Sequence, residues 1–179
     1  MIHGMGYTLT GSVEDNPFIF VSRGCELTLS YVTMEGTRYT TGTSARAIYA
    51  WGGEISLYSS TFKYFGLSSG PGGALNVDNG GAIKTSKGNT FSWNYSPDSG
   101  GAIRTTQNET FTSDGDTFNN NKAEYYGGAI RIDSNGVKFV SKGSTFTSNA
   151  AGSYGGAVLW EGSLESEGTI CNDNYANVS

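Results

Sequence analysis

The sequence predicts an all-β chain, a right-handed single-stranded parallel β-helix of about six coils, each 27–28 residues long with three short strands. Three observations predict it. A Gly-Gly pair recurs at Gly72, Gly100, Gly127 and Gly155, at intervals of 28, 27 and 28 residues. A Thr-Phe pair runs in phase with it at 61–62, 90–91, 117–118 and 145–146. Between the two landmarks, no window holds the i, i+3, i+4, i+7 apolar stripe of a surface helix.

In chain order, residues 1–16 read as an N-terminal segment or cap, with "GYTLTGSVEDNP" as strand and turn, and residues 17–179 read as the repeat array. Within a coil, "GGAIRID" turns Ile130 and Ile132 inward and Arg131 and Asp133 outward, as a strand with one buried face requires. "NGVKFV" follows with Val137 and Phe139 on one side, and "STFTSN" puts Phe146 inward between Thr145 and Thr147. Gly, Asn and Ser separate these runs, as turns demand. Degenerate copies extend the array, with Thr33-Met34 and Ala45-Arg46-Ala47-Ile48 before and Thr169-Ile170 after.

Equivalent positions of successive coils should form columns. The inward column after Thr contains Met34, Phe62, Phe91, Phe118, Phe146 and Ile170. The GG strand supplies Ile48, Leu75, Ile103, Ile130 and Val158. A third column runs Leu27, Ile55, Lys84, Phe111 and Phe139; Lys84 misfits, and the adjacent Ile83 predicts a bulge that swaps faces. Three residues beyond Phe stand Asn94, Asn121 and Asn149, preceded by Phe65 and followed by Asp173. Stacked amides can bond along the axis at a turn, where Asn tolerates the left-handed conformation.

Gly-Gly-Ala-aliphatic paired with Phe-x-x-Asn in one period resembles the repeats of the chlamydial polymorphic outer-membrane proteins. The first motif stands at Gly72–Leu75, Gly80–Ile83, Gly100–Ile103, Gly127–Ile130 and Gly155–Val158, the second at Phe91/Asn94, Phe118/Asn121 and Phe146/Asn149. The resemblance covers residues 72 to 174 well and 17 to 71 loosely. It implies an autotransporter-passenger-like β-helix displayed on the cell surface and working in adhesion.

Composition narrows the function. Charged residues are 15% of the chain and aromatics 13%, with 27 Gly and three Pro, so the chain is not a disordered segment. A net charge of −5 with scattered Lys and Arg argues against nucleic acid. No apolar run nears the roughly 18 residues of a membrane helix, so direct membrane insertion is not expected. The opening "MIHGMGYTLTGS" shows neither a basic n-region nor an apolar h-region.

The outward face of the GG strand is the best place for catalysis. Asp78 and Asp133 share a column with Thr106 and Glu161, and Arg104 and Arg131 lie two residues earlier beside Asn76 and Leu159. That set would suit a polysaccharide lyase or hydrolase acting on a uronate. Yet two rises of roughly 4.8 Å put the aspartates about 10 Å apart, beyond a retaining pair and at the upper edge for an inverting one. The sole His is His3, so no His relay is available. "GGALNVDNG" has Lys87 where a tandem calcium repeat would place its next Asp, so no metal or cofactor is expected. Cys25 and Cys171, in the first and last coils, stand roughly 24 Å apart and cannot pair within a monomer.

Aromatic residues are the better lead. Tyr126 and Tyr154 stack before the GG pairs, with Tyr125, Tyr95, Trp93 and Trp160 in the same half; Trp160, in phase with Ile132, should face inward. Such side chains offer a platform for a glycan or an extracellular protein. The outward Thr column at 33, 61, 90, 117, 145 and 169 acquires a second Thr only in Thr145-Phe146-Thr147, which argues against ice binding and for β-branched strand preference. Of three glycosylation triplets, at Asn94, Asn108 and Asn177, Asn108 is the expected acceptor, because Asn94 belongs to the ladder and Pro97 follows its triplet. Open strand edges at the tips call for continuation of the same chain or end-to-end self-association. The expected function is a non-catalytic extracellular or cell-surface module, adhesin-like or a structural stalk. The alternative is the polysaccharide enzyme at Asp78, Asp133, Arg104 and Arg131.

Overall fold

A computed structural model describes residues 2–4, 8–10, 16–37 and 45–177. Residues 5–7 and 11–15 of the N-terminal segment lie outside the described residues. The chain winds as a parallel β-solenoid of about six turns, with no helix among the described residues. Each coil crosses three sheets in succession. The first holds the GG strands, such as Leu75–Asp78, Ile103–Thr105 and Ile130–Ile132. The second includes Glu54–Tyr58, Phe111–Asp114 and Phe139–Lys142, and the third carries the Thr-Phe strands Thr61–Lys63 to Thr145–Thr147. From Tyr95 on, a two-residue strand adds a fourth sheet: Tyr95–Ser96, Lys122–Ala123, Ala150–Ala151 and Tyr175–Ala176.

Burial of one aromatic column organises the interior. Phe62, Phe91, Phe118 and Phe146 are direct register partners and buried, with successive ring centroids 4.9–5.0 Å apart and planes within 3–10°. Ile48, Leu75, Ile103, Ile130 and Val158 align across the first sheet. In the second sheet the register shifts between Ile83 and Thr85, so Ile83 pairs with Ile55 and is buried while Lys84 bulges outward.

The Asn column is a hydrogen-bonded spine. The Asn94 N–H and side-chain amide both donate to Asn121 Oδ1, at 3.1 and 3.0 Å, and the amide also donates to the Phe62 carbonyl. Asn121 repeats these bonds with Asn149 and Phe91. From Phe65 to Asn149 the backbone N–H at this corner donates to the Asn side chain of the next coil, which satisfies buried groups that water cannot reach. The residue before each rung, from Tyr64 and Trp93 to Asp173, adopts a φ of 53–62°.

The GG corner is governed by crowding. The first glycine of each pair has φ between 62° and 71°. A Cβ on Gly73, Gly101 or Gly128 would lie 2.0–2.2 Å from the carbonyl oxygen of the second glycine in the next coil. No side chain fits there.

Two expectations are corrected. The last coil is offset by one residue: Ile170 pairs with Thr145 and Cys171 with Phe146, so Ile170 points outward, 52% exposed, and Cys171 occupies the Phe column. Asn174, not Asp173, then continues the Asn spine, accepting from Asn149 at 2.9 Å. Thr169 leaves the outward Thr column because the left-handed Gly168 aligns it with Ser144 at the preceding corner. The second correction concerns Gly80-Gly81-Ala82-Ile83, which turns from the first sheet into the second rather than into a GG strand; Ala82 pairs with Glu54.

Ile2–His3 and Thr8–Thr10 pair with Leu29–Ser30 and Thr33–Glu35 as a partial coil at one tip. At the other, Phe139, Phe146, Val158, Trp160, Leu164 and Cys171 line an open cavity of about 260 Å³, and the Trp160 Nε1 is buried without an acceptor.

Removing one ring breaks the aromatic column on both sides, so Phe118→Ala is expected to lower unfolding free energy by about 3–5 kcal/mol in urea melts. Gly128→Ala should destabilise far more than Gly136→Ala. At Gly136 nothing lies within 4 Å of a Cβ and only left-handed strain of about 1–2 kcal/mol applies.

Candidate binding face

The corner before the GG pair sets Ser99, Tyr126 and Tyr154 in parallel bridges, one above another. The Tyr126 and Tyr154 rings stack at 6.1 Å with planes 10° apart, and Tyr125 lies beside Tyr126 at 6.3 Å. These three rings are 37–54% exposed. The Arg131 guanidinium sits 5.6 Å from the Tyr126 ring centroid, a cation–π contact that fixes the tyrosine against the adjoining strand.

Arg131 also joins the rings to a charged ladder on the first sheet. It donates to Asp133 and, at 3.1 Å, to Glu161. Arg104 lies between the two aspartates and donates to Asp133 at 2.8 Å and Asp78 at 2.9 Å. Thr106 donates its hydroxyl to Asp78 at 2.9 Å. Burial pushes the Asp78 carboxyl upward, but the Asn79 N–H, the Thr106 hydroxyl and Arg104 outweigh it and hold the group below its usual range. Burial likewise works against the Arg104 charge, and the hydrogen bonds it donates to Asp133 and Asp78 more than restore it. The structure thus brings Asp78, Arg104, Arg131, Asp133, Tyr125, Tyr126 and Tyr154 to one face. The two aspartates do not converge across open space, because Arg104 fills the gap.

The remaining candidates sit elsewhere. Asn108 is exposed, whereas Asn94 is buried in the spine and unsuited to modification. Cys25 and Cys171 are free and exposed. Among the described residues, no group of three or more His, Cys, Asp and Glu is placed to hold a metal.

Sequence reasoning missed a second polar column, between the second and third sheets. Ser60, Asn89, Asp116 and Ser144 succeed one another inside the corner. The Ser60 N–H donates to Asn89 Oδ1 at 3.0 Å, the Asn89 N–H to Asp116 Oδ1 at 2.8 Å, and the Asp116 N–H to Ser144 Oγ at 3.2 Å. Asp116 also accepts from the Ser86 and Ser113 hydroxyls, at 2.7 and 2.8 Å. Burial still raises its carboxyl above the usual range against these bonds, because no cation reaches it among these contacts. The signal was present: each of these polar residues from Asn89 on stands between Gly and Thr, as in Gly115-Asp116-Thr117 and Gly143-Ser144-Thr145. Arg46 was missed too. It reaches the Pro71 and Gly72 carbonyls of the next coil, and burial lowers its pKa to about 10.

The part of a coil from the Thr-Phe strand through the Asn rung to just past the GG strand runs from Thr117 to Asp133. Residues 117–133 match the Chlamydia polymorphic membrane protein (Chlamydia_PMP) repeat. The matched repeat therefore contains an aromatic rung, a spine amide, a GG corner, Tyr125, Tyr126 and Arg131. No characterised protein and no solved structure matches the chain significantly.

Asp116 yields a signed prediction. Its folded pKa is raised, so its contribution to stability is fully present below the ordinary carboxylate value of 3.8 and is lost as pH rises through the folded value. Asp116→Asn should remove that loss. Its denaturation midpoint, compared with wild type across acid to neutral pH, should gain steadily as pH rises; a difference independent of pH would contradict the assignment.

Proposed function

We propose that this chain is a non-catalytic, surface-displayed β-solenoid module whose adhesive face is built on Tyr125, Tyr126 and Tyr154. One observation carries the reading: the exposed Tyr126 and Tyr154 rings stack, with Tyr125 tilted beside them and Arg131 against Tyr126, next to a ladder whose charges are already paired with one another. Exposed tyrosines combine large contact area with few rotatable bonds and a polar tip, which suits stacking on a sugar or anchoring in a protein partner. The match to a polymorphic membrane protein repeat supports an outer-membrane or cell-surface setting.

The paired ladder weighs against the polysaccharide-enzyme alternative. A general acid needs a carboxyl that keeps its proton near neutral pH, and Asp78 is held below its usual range. Arg104 and Arg131 spend donors on Asp78, Asp133 and Glu161, which leaves less to offer a uronate.

The test is binding of the purified chain to arrays of glycans and extracellular-matrix proteins. Tyr126→Ala/Tyr154→Ala should weaken the bound ligand at least about tenfold, near 1.4 kcal/mol. Absence of any ligand would leave a structural stalk. Polyuronate cleavage abolished by Asp133→Asn, with the fold intact, would overturn the non-catalytic reading.

A further inference from the structure

A second concave site lies at another corner, where the third sheet turns into the fourth. Trp93, Asn120, Lys122, Ser148, Ala150 and Tyr175 line a cleft of about 280 Å³. Its shape follows from register. Tyr95, Lys122, Ala150 and Tyr175 are successive rungs of one outward column, and Ala150 is the small side chain among these four. Two rises separate Lys122 from Tyr175, about 10 Å, so the missing side chain leaves a notch one rung wide. Ala150 forms the floor and the Tyr175 ring one wall. The neighbouring column of left-handed corner residues runs Trp93, Asn120, Ser148 and Asp173, which puts an indole towards the far end and an amide and a hydroxyl along the side. Trp93 and Tyr175 are 47% and 56% exposed.

We propose that this cleft binds a short neutral oligosaccharide, with one pyranose ring seated over Ala150 against the Tyr175 ring. The chemistry of the lining favours that class. A pyranose has an apolar C–H face that packs on an aromatic ring and a rim of hydroxyls that both donate and accept. Asn120 and Ser148 provide both kinds of group at the side of the notch. Adjoining rings of the oligosaccharide then lie beside the notch, over Ser148 and Asn120 and towards the Trp93 indole. Charge selects against acidic sugars. The Lys122 ammonium is 2.7 Å from Glu124 Oε1 and 5.7 Å from the Tyr95 ring centroid, and its hydrogen bond holds the Glu124 carboxyl below its usual range. Lys122 therefore contributes its stem as a wall and offers no unpaired cation to a uronate. The site shares no residue with the tyrosine face.

Cellotriose, chitotriose and maltotriose, each titrated while tryptophan emission is followed, test the proposal directly. At least one should produce a saturable change with a Kd of about 1 mM, as expected for a shallow, open site. Tyr175→Ala should weaken it tenfold or more. Ala150→Lys should abolish it, and because the same column already carries Lys122 and Tyr175, circular dichroism and melting should stay at wild-type values. Tyr126→Ala/Tyr154→Ala should leave it unchanged, which separates this site from the adhesive face. Three results would overturn the proposal: no saturable change up to about 20 mM, some twentyfold above a millimolar Kd; a signal that survives Ala150→Lys; or tighter binding of trigalacturonate than of every neutral sugar.

Discussion

Backbone contact at the GG corner sets the geometry on which the other columns depend. The second glycine of one coil faces the carbonyl oxygen of its counterpart in the next, at a separation that excludes even a methyl group. Only glycine tolerates that contact at the spacing set by the strand hydrogen bonds, which is also the spacing of the aromatic column, 4.9–5.0 Å between rings. At the same spacing an Asn side chain reaches the backbone and amide of its neighbour at about 3 Å, so the spine closes without distortion. Three chemically different columns thus share one repeat length. Enlarging any of them would strain the other two.

Much of this arrangement was legible because a solenoid converts sequence period into spatial contact. Phe62, Phe91, Phe118 and Phe146 could be stacked on paper, as could the Asn rungs and the Lys84 bulge. The error at the last coil has a physical cause. Thr169-Ile170 looks like Thr-Phe, but backbone conformation sets the phase, and the left-handed Gly168 places Thr169 at the polar corner. Gly80-Gly81 misled for the related reason that the same dipeptide serves two corners with different neighbours. The Asp116 column escaped because polar residues between Gly and Thr read as turn. Only the fold shows them pointing inward.

The candidate face was legible as a set of residues and not as an arrangement. Sequence spacing put Asp78, Asp133, Arg104 and Arg131 on one strip, open to either a catalytic or a structural reading. Side-chain reach distinguishes them: an arginine one coil from each aspartate spans both gaps, and the strip becomes an alternating ion-pair ladder. Such partly exposed pairs contribute about 0–1 kcal/mol each. Their clearer effect is to leave the tyrosines as the most prominent unburied feature nearby. Arg131 takes part in both sets, so the ladder orients the ring that a partner would meet.

Consider the contour length stored in each turn. Some 28 residues of nearly extended backbone span roughly 90 Å, yet a turn advances the rod by only about 4.8 Å. Under tension applied at its ends, the molecule can yield by peeling a terminal turn, which lengthens the tether by many times the loss in rod height. The next turn still has its amide spine and its aromatic stack intact below it. Extension would therefore proceed in discrete, nearly equal steps, and a rod of this construction would act as a shock absorber while the interior turns keep their shape.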